Sequence, residues 1–238
     1  LNNAIIESCD TFFYKLSTLM PISIFHKYGT IFGIGKKTGI DMPHEKNGIM
    51  PSRDWKKRTH NLAWYPGDSV NASIGQGFTL ATPLQLAVMT AGLANQGKIP
   101  VPRVARNENS SLLVKKEVEI QKKYWNYVRK AMKDVVHDPS GTARRINQGI
   151  DYEISGKTGT VQVIGIKQKE RYDIASIAKK NRDHALFIAY APSDKPKVAI
   201  AIIIENGGSG SARAAPAAKE VIETYMNLYS INPNESKN

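Results

Sequence analysis

The tripeptide Lys-Thr-Gly occurs twice in the sequence, and it is the first feature whose residue types could do chemistry. It occurs at residues 37–39 and again at residues 157–159, where Thr160 follows. An ammonium group can hold a carboxylate, a hydroxyl can bond it, and a backbone N–H can receive an oxyanion, which together serve acyl transfer. Three common residues recur by chance, so the surroundings of each copy must decide between them.

The surroundings favour the second copy. It lies in a strand-like alternation between residues 152 and 166, whereas the first copy lies in a segment rich in Gly, Pro, Asn and Asp. A sheet would fix the position of Lys157, and Gly159 would let a ligand lie close to the backbone. The first copy is instead typical of a turn in which nothing holds a side chain rigidly.

Acyl transfer also requires a nucleophilic serine with a lysine one helical turn away, and a second serine on an opposing loop. Ser8-Cys9-Asp10 has the S-x-[ND] pattern of the second serine. The only clean S-x-x-K runs from Ser176 to Lys179, and we interpret it as a chance match because it lies among polar loop residues. The sequence therefore offers two of the three motifs and no nucleophile.

The elements that must position these residues follow from the hydrophobic pattern. Helical spacing, a capping Thr82 followed by Pro83, and later strand-like runs predict helices first, then three strands, then a closing helix. This order predicts an α+β fold in which helices flank an antiparallel sheet. The helices are predicted at residues 5–19, 22–32, 82–97, 124–136 and 212–229, and the strands at 152–166, 184–190 and 197–204.

Three segments carry more specific expectations. Residues 33–77 are predicted to be a loop-rich excursion without regular elements, because turn-forming residues interrupt every apolar run. Residues 207–211 are predicted to be a flexible joint. In the closing helix, Val221, Met226 and Leu228 are predicted to face the sheet.

Composition excludes several functional classes. The 238 residues include 33 Lys and Arg against 21 Asp and Glu, a net charge of +12. The basic pairs are scattered and not interleaved with aromatic residues, so we predict a solvated surface and no nucleic-acid partner. The longest apolar run, residues 198–204, is too short to cross a bilayer. One cysteine forms no internal disulfide, and neither CxxC nor HExxH offers a metal site within the chain alone.

Several ordered segments together resemble the penicillin-binding transpeptidases, in particular those of bacterial cell elongation. The resemblance runs from about residue 1 to about residue 230 and implies the penicillin-binding transpeptidase or serine β-lactamase-like fold, N-terminally truncated, over residues 1–238. The segments that carry it are residues 8–14, 38–41, 74–77, 82–85, 141–143, 155–160 and 205–208.

The resemblance implies a function and a role for each candidate residue. Enzymes of this family cross-link peptidoglycan: a serine is acylated by a D-Ala-D-Ala stem peptide, and the acyl group passes to an amine on a neighbouring stem. β-Lactams mimic the donor. By resemblance, Ser8 takes part in proton transfer to the leaving group, Lys157 and Thr158 bind the substrate carboxylate beside Gly159, and the Thr160 N–H forms half of the oxyanion hole.

Asp10 and Cys9 each have two interpretations. Asp10 is either part of the site, at a position where most relatives carry Asn, or the N-cap of a helix that begins at Thr11. Cys9 is either a small buried hydrophobe or, by resemblance, one ligand of a structural zinc whose Asp and His ligands precede Leu1. No cofactor is expected for the chemistry itself.

The resemblance places the nucleophile's Ser-x-x-Lys and a membrane anchor before Leu1, so this chain alone is expected to be inactive. The implied partners are stem peptides, β-lactams and membrane proteins of the elongation machinery, at the periplasmic face of the inner membrane. Two alternatives stay open: a β-lactamase or carboxypeptidase of the same fold, and an inactive scaffold or sensor. The lack of an obvious Glu placed to activate a deacylating water in residues 33–77 disfavours the first.

Overall fold

The structure, a computed structural model, describes residues 1–105, 113–165 and 177–229. The chain divides into two compact units. The first unit comprises residues 1–4 and 8–127, and the second comprises residues 5–7 and 128–238. Each unit is described by itself.

Eight α-helices, five strands and three short 3₁₀ or π-helical turns are found in the described residues. None of these helices is long and apolar enough to span a membrane. In chain order the elements are α1 Asn2–Ile6, α2 Asp10–Leu19, α3 Ile22–Ile31, α4 Arg53–His60, α5 Pro66–Ser73, α6 Pro83–Ala94, β1 Lys98–Pro100, β2 Val114–Glu117, α7 Lys122–His137, β3 Ser155–Val161, β4 His184–Ala191, β5 Val198–Ile204 and α8 Ala215–Leu228.

The helix predicted over residues 5–19 is interrupted. Ser8 has φ of 55°, in the left-handed region, and the Cys9 N–H bonds the Ala4 carbonyl at 2.9 Å. A left-handed residue at this point ends a helix because it turns the backbone away from the helical path. The chain therefore ends α1 and begins α2 at Asp10.

The prediction that residues 33–77 lack regular elements is wrong at two places, α4 and α5. The Ser52 hydroxyl accepts from the Trp55 N–H and begins α4, while α5 begins with Pro66. A buried ion pair joins the two helices, because Lys56 Nζ lies 2.5 Å from the Asp68 carboxylate. Each helix has only eight residues, so neither offers enough apolar positions for a helical period to be recognised.

Helix α6 confirms its predicted start. Thr82 and Gln85 form a reciprocal capping box, and Pro83 occupies the first turn. Gln85 is almost fully buried, and its amide also donates to the carbonyls of Lys36 and Asn47 at 2.7 and 2.6 Å. The cap of α6 thus anchors the preceding loops.

An apolar cluster forms around α6 in the first unit. It joins α6 to the antiparallel pair β1–β2 and to the start of α7. The buried members are Val88, Ile99, Val118 and Trp125.

The second unit contains the predicted antiparallel meander. Strands β3, β4 and β5 pair in that order, and full registers join Ser155 to Tyr190 and Ala185 to Ile204. One face of β4 presents Ala185, Phe187 and Ala189 to the core of this unit, together with residues of α7 and α8. The predicted sheet and its order are confirmed.

The predicted apolar face of α8 is partly wrong. Met226 is buried as expected, but Val221 is 50% and Leu228 74% exposed. The buried positions are instead Ala215, Ala218, Ile222 and Met226. Their spacing of three and four residues is the helical period, and small alanines let the helix approach closely.

Candidate active site

Strand β3 carries the second Lys-Thr-Gly and is an edge strand of the described sheet. It pairs with β4 along its whole length, from Ser155 to Val161, and no other described strand pairs with it. Backbone groups on the outer edge of such a strand can pair with an extended peptide. The predicted strand is therefore confirmed, and its position suits the binding of a peptide.

The register assigns the candidate residues to the two faces of the sheet. Lys157 is opposite Ile188, whereas Thr158 is opposite Phe187, and cross-strand partners share a face. Thr158 therefore shares the face of the unit's core, and Lys157 the other face. Lys157 is half-buried, and its Nζ donates to the Thr158 carbonyl at 2.9 Å, while Thr160 is exposed.

The glycine at position 156 is required by close packing. A Cβ there would lie 2.4 Å from Cζ of Phe187 and 2.9 Å from the Ile188 carbonyl oxygen. At Gly159 a Cβ would lie 3.2 Å from Cβ of Leu186. The Phe187 ring therefore fills the space that a side chain at position 156 would need, and the surface at Gly159 has no side chain of its own.

Thr142 is a residue of this region to which the sequence assigned no role. Its Oγ1 lies 2.9 Å from Oγ1 of Thr158, so the two hydroxyls share a hydrogen bond. Gly141 positions it: the N–H of Ala143 bonds the Val135 carbonyl at 3.0 Å, and a Cβ on Gly141 would lie 2.4 Å from that oxygen. Residues 141–143 are one of the segments that carry the family resemblance. The sequence therefore marked the segment as part of the family pattern, but it did not predict the contact between Thr142 and Thr158.

The segment predicted as a flexible joint packs against the end of β3. Residues Gly210–Ala214 form a π-helical turn, and a Cβ on Gly210 would lie 2.2 Å from the Gly159 carbonyl oxygen and 2.4 Å from that of Leu186. The Gly210 N–H also donates to the Thr160 hydroxyl at 3.4 Å. The joint prediction is wrong at this residue, because such close backbone packing fixes it against β3.

The turn before that segment is tied to the start of β4. Asn206, with φ of 55°, donates its backbone N–H to Nδ1 of His184 at 2.9 Å. Its side-chain amide donates to the carbonyls of Lys180 and Arg182. The Glu-Asn-Gly-Gly motif of residues 205–208 therefore ties the chain that follows β5 to the start of β4.

Ser8, Cys9 and Asp10 lie at the α1–α2 break of the first unit. Asp10 is the first residue of α2 and Cys9 is its N-cap, although the Cys9 side chain accepts no capping hydrogen bond from the helix backbone. The interpretation of Asp10 as the N-cap is therefore wrong by one residue, because the helix begins earlier than expected. Asp10 is exposed. The pKa of Tyr14 is raised, first by the partial burial of the Tyr14 hydroxyl and second by the negative charge of Asp10.

Cys9 is exposed, which contradicts its interpretation as a small buried hydrophobe. Its Sγ lies 3.2 Å from Oγ1 of Thr11. The described residues contain no group of three His, Cys, Asp or Glu side chains that could hold a metal ion. They do not fit a zinc site by themselves, since a structural zinc requires four ligands.

The first Lys-Thr-Gly is not on a strand, but its threonine is held firmly. Thr38 is buried, and its backbone N–H and its hydroxyl both donate to Oε1 of Glu45 at 2.6 Å. Lys115 donates to the carbonyls of Lys37 and Thr38, each at 2.8 Å. The expectation that nothing holds a side chain rigidly here is wrong.

Both carboxylates of this loop have lowered pKa values. For Glu45, burial raises the pKa, but hydrogen bonds from Thr38 and Gly39 and the charge of Lys115 lower it overall. For Asp41, the pKa is lowered by hydrogen bonds from the backbone N–H groups of Val104 and Ala105. The Glu45 carboxylate therefore organises Thr38 and Gly39 of the first copy, whereas the Asp41 carboxylate holds the backbone at Val104 and Ala105.

The candidate residues thus form two groups. Residues 157–160 lie together in the second unit with Thr142 and Gly210, and residues 8–10 lie together in the first unit. The chance S-x-x-K match begins at Ser176, which lies outside the described residues.

The chain matches one protein family, described as the penicillin binding protein transpeptidase domain, over residues 1–223. Among similar curated proteins, the peptidoglycan D,D-transpeptidase MrdA of Acinetobacter baumannii is 42% identical over 241 residues, covering 98% of this chain and 35% of the relative. MrdA of Salmonella typhimurium is 39% identical over 232 residues, covering 94% of this chain and 37% of the relative. The chain thus spans little more than a third of these relatives.

Solved structures show the same similarity. PBP2 of Pseudomonas aeruginosa in complex with WCK 5153 superposes with a TM-score of 0.83 at 39% identity, covering 94% of this chain and 48% of that one. PBP2 of Helicobacter pylori in complex with MreC gives a TM-score of 0.84 at 34% identity, covering 96% and 40%. The fold is that of a penicillin-binding transpeptidase.

Proposed function

Because the chain belongs to the family of penicillin-binding protein transpeptidase domains, we propose that it forms part of a peptidoglycan D,D-transpeptidase that binds penicillin. The observation that carries the proposal is β3, an edge strand of the described sheet that presents Lys157, Thr158 and Thr160 in one rigid run. The similarity to curated D,D-transpeptidases along 94–98% of the chain supports it.

In this proposal the stem peptide lies along the open edge of β3. Extended peptides bind sheet edges through main-chain hydrogen bonds. Lys157 and Thr158 lie on opposite faces of β3, and by resemblance the ammonium and the hydroxyl would both meet the terminal carboxylate of the donor at the edge of the strand. Charge-assisted bonds are the strongest that such a site offers. Lys157 Nζ would exchange its bond to the Thr158 carbonyl for one to the carboxylate.

The same strand would stabilise the tetrahedral intermediate. The nucleophilic serine gives its hydroxyl proton to a basic group as its oxygen bonds the carbonyl carbon of the penultimate D-Ala, and the carbonyl oxygen becomes an oxyanion. The Thr160 N–H would donate to that oxyanion. When this intermediate collapses, the amide C–N bond to the terminal D-Ala breaks and the serine is left acylated. Ser8 would pass a proton to the departing amine of the terminal D-Ala. A second amine then takes the acyl group and releases the serine.

Partners, cofactors and location are also part of the proposal. A similar PBP2 was solved with MreC, and another structural relative belongs to a peptidoglycan synthase complex. We therefore propose that the protein acts with elongation-machinery membrane proteins at the periplasmic face of the inner membrane. The chemistry requires no cofactor, and a zinc bound by Cys9 would require ligands beyond those that the described residues provide.

The experiment that tests the proposal is intact-mass spectrometry of the whole protein after exposure to a penicillin. A single covalent adduct is expected, and Lys157→Ala should form it about 10- to 100-fold more slowly, because a bond to a charged group is lost. Lys37→Ala is the matched control from the other Lys-Thr-Gly and should acylate at the unaltered rate. Absence of an adduct in the folded, unaltered protein would refute the enzyme and support an inactive scaffold.

A further inference from the structure

A cavity of about 220 Å³ lies in the first unit, and none of its lining residues belongs to either group of candidate site residues. Its inner wall is apolar and is formed by Ile31, Phe32, Val88 and Ile99, which belong to or pack against one apolar cluster. An apolar cavity of about 150 Å³ already admits benzene. This cavity is therefore large enough for a single aromatic ring with a short substituent.

Thr30, which lines the cavity, has a hydroxyl without a partner. Its Oγ1 is buried and makes no hydrogen bond with any described residue. Thr90 in α6 shows the usual arrangement, in which the hydroxyl donates to the carbonyl four residues earlier, here Leu86 at 2.7 Å. A buried unsatisfied hydroxyl is unfavourable, but this oxygen has almost no surface exposed to the cavity, so binding there depends on the apolar wall and the lysines.

The lining is also strongly cationic. Lys36, Lys37, Lys115 and Lys116 line it, and no acidic residue does so among the residues that the structure describes. Lys115 is engaged by two backbone carbonyls, whereas Lys36, Lys37 and Lys116 are exposed and form no ion pair in the described parts of the chain.

Lys116 is placed next to the apolar wall by the β1–β2 register. It is directly opposite Ile99, so the two side chains share one face of this two-stranded sheet. The alkyl stem of a lysine packs on apolar surface while its ammonium stays at the water boundary. An ammonium at the mouth of an apolar cavity is the arrangement that recognises an anion with an apolar body.

We propose that this cavity binds a small aromatic monocarboxylate. Its ring packs against Phe32, Val88 and Ile99, and its carboxylate meets the exposed lysines at the mouth. This site is independent of the proposed transpeptidase function, because it shares no residue with β3 or with residues 8–10.

The test measures the binding of two probes to the whole protein by calorimetry. The probes are 3-phenylpropionate and its neutral amide, which have nearly the same shape. The carboxylate should bind about tenfold more tightly at low salt, because charged hydrogen bonds are stronger, and the ratio should fall as salt screens the lysines. Equal affinities, or no binding of either probe, would overturn the proposal.

Variants locate the binding site. Lys116→Gln should weaken the carboxylate about three- to tenfold and leave the amide unchanged, since only a charge-assisted bond is lost. Lys46→Gln, an exposed lysine outside the cavity, is the matched control and should change neither affinity. An equal loss in Lys46→Gln, or an unaltered affinity in Lys116→Gln, would place the binding elsewhere and overturn the proposal.

Discussion

The two Lys-Thr-Gly segments have the same three residues, but different hydrogen bonds hold them in place. In residues 37–39 the threonine side chain and backbone are both bonded to Glu45 within the loop. In residues 157–159 the backbone is held by pairing with β4, and the side chains of Lys157 and Thr158 stay half-exposed. The glycines differ as well, since only Gly39 has a positive φ, of 89°.

This difference shows what makes a short motif chemically useful. When the side chains hold the fold, as at Thr38, they are not available to a ligand. When a sheet holds the backbone, the side chains and the outer edge can meet a substrate, in a geometry fixed before binding. Substituting a residue that holds one Lys-Thr-Gly segment in place should therefore affect either the stability of the fold or the acylation rate, depending on which of the two segments it contacts.

The largest effect is expected from Gly210→Ala, which acts on the support of the second copy. The new Cβ would lie 2.2 and 2.4 Å from two backbone oxygens of the sheet, and backbone does not yield as a flexible side chain does. We expect a loss of about 1–3 kcal/mol in the free energy of unfolding and a slower acylation by penicillin. Chemical denaturation and intact-mass kinetics on the whole protein measure the two effects.

Gly165→Ala is the control for that substitution. It lies in the same unit, and a Cβ there meets nothing within 4 Å of it, so its stability and its acylation rate should stay unchanged. If Gly210→Ala behaves like this control, the close packing of residues 210–214 on β3 is not what positions Thr160.

A smaller effect, confined to the first copy, is expected from Glu45→Ala. The substitution removes the acceptor of the Thr38 N–H and hydroxyl and leaves a buried threonine without its partner. We expect a loss of about 1–2 kcal/mol in unfolding free energy, with the acylation rate of the remaining folded protein unaltered. The free energy of unfolding of Glu45→Gln should lie between those of the unaltered protein and Glu45→Ala, because the amide oxygen can still accept from Thr38.

The stabilisation from Glu45 should also depend on pH. Its pKa is lowered in the folded state, so the ionised form stabilises the fold above the unfolded pKa, about 4.3, and this contribution is lost as pH falls through the folded pKa. The difference in unfolding free energy between the unaltered protein and Glu45→Ala should therefore shrink in acid. A difference that stays constant down to pH 3 would contradict the role of the charge.

Much of the second unit was predictable from sequence, because its strands are continuous alternating runs and its order has hairpin-length connections. The helix start at Thr82 was equally clear, since a capping residue and Pro83 act locally. The interrupted helix at Ser8 was not predictable, because one serine in a left-handed conformation leaves no periodic signal. The helices α4 and α5 were also missed, because eight residues are too few to show a helical period.

The candidate site shows the same limit. Lys157, Thr158 and Thr160 were identified because a strand pattern surrounded them. The bond of Thr142 to Thr158 and the contact of Gly210 with Gly159 join residues 16 to 51 positions apart in the sequence. Local patterns carry no information on such pairs, and only the packed structure supplies it.

The smallest effect, and the most specific test of the comparison, is expected from Thr142→Val. Valine keeps the shape of the side chain but cannot share a hydrogen bond with the Thr158 hydroxyl, 2.9 Å away. If that bond holds Thr158 in place for a carboxylate, acylation should slow by about 2- to 10-fold, the value of one neutral hydrogen bond. Thr142→Ser, which retains a hydroxyl, should restore most of the rate.

Thr38→Val is the counterpart in the first copy and separates positioning from stability. It removes a hydroxyl bonded to Glu45, so it should lower the free energy of unfolding and leave acylation unchanged. Thr142→Val should slow acylation and leave the free energy of unfolding nearly unchanged, because the Thr142 hydroxyl is half-buried and lies beside the proposed carboxylate site. If both variants lost stability alone, Thr158 would be held by its strand without help, and the hydroxyl pair would have no part in binding.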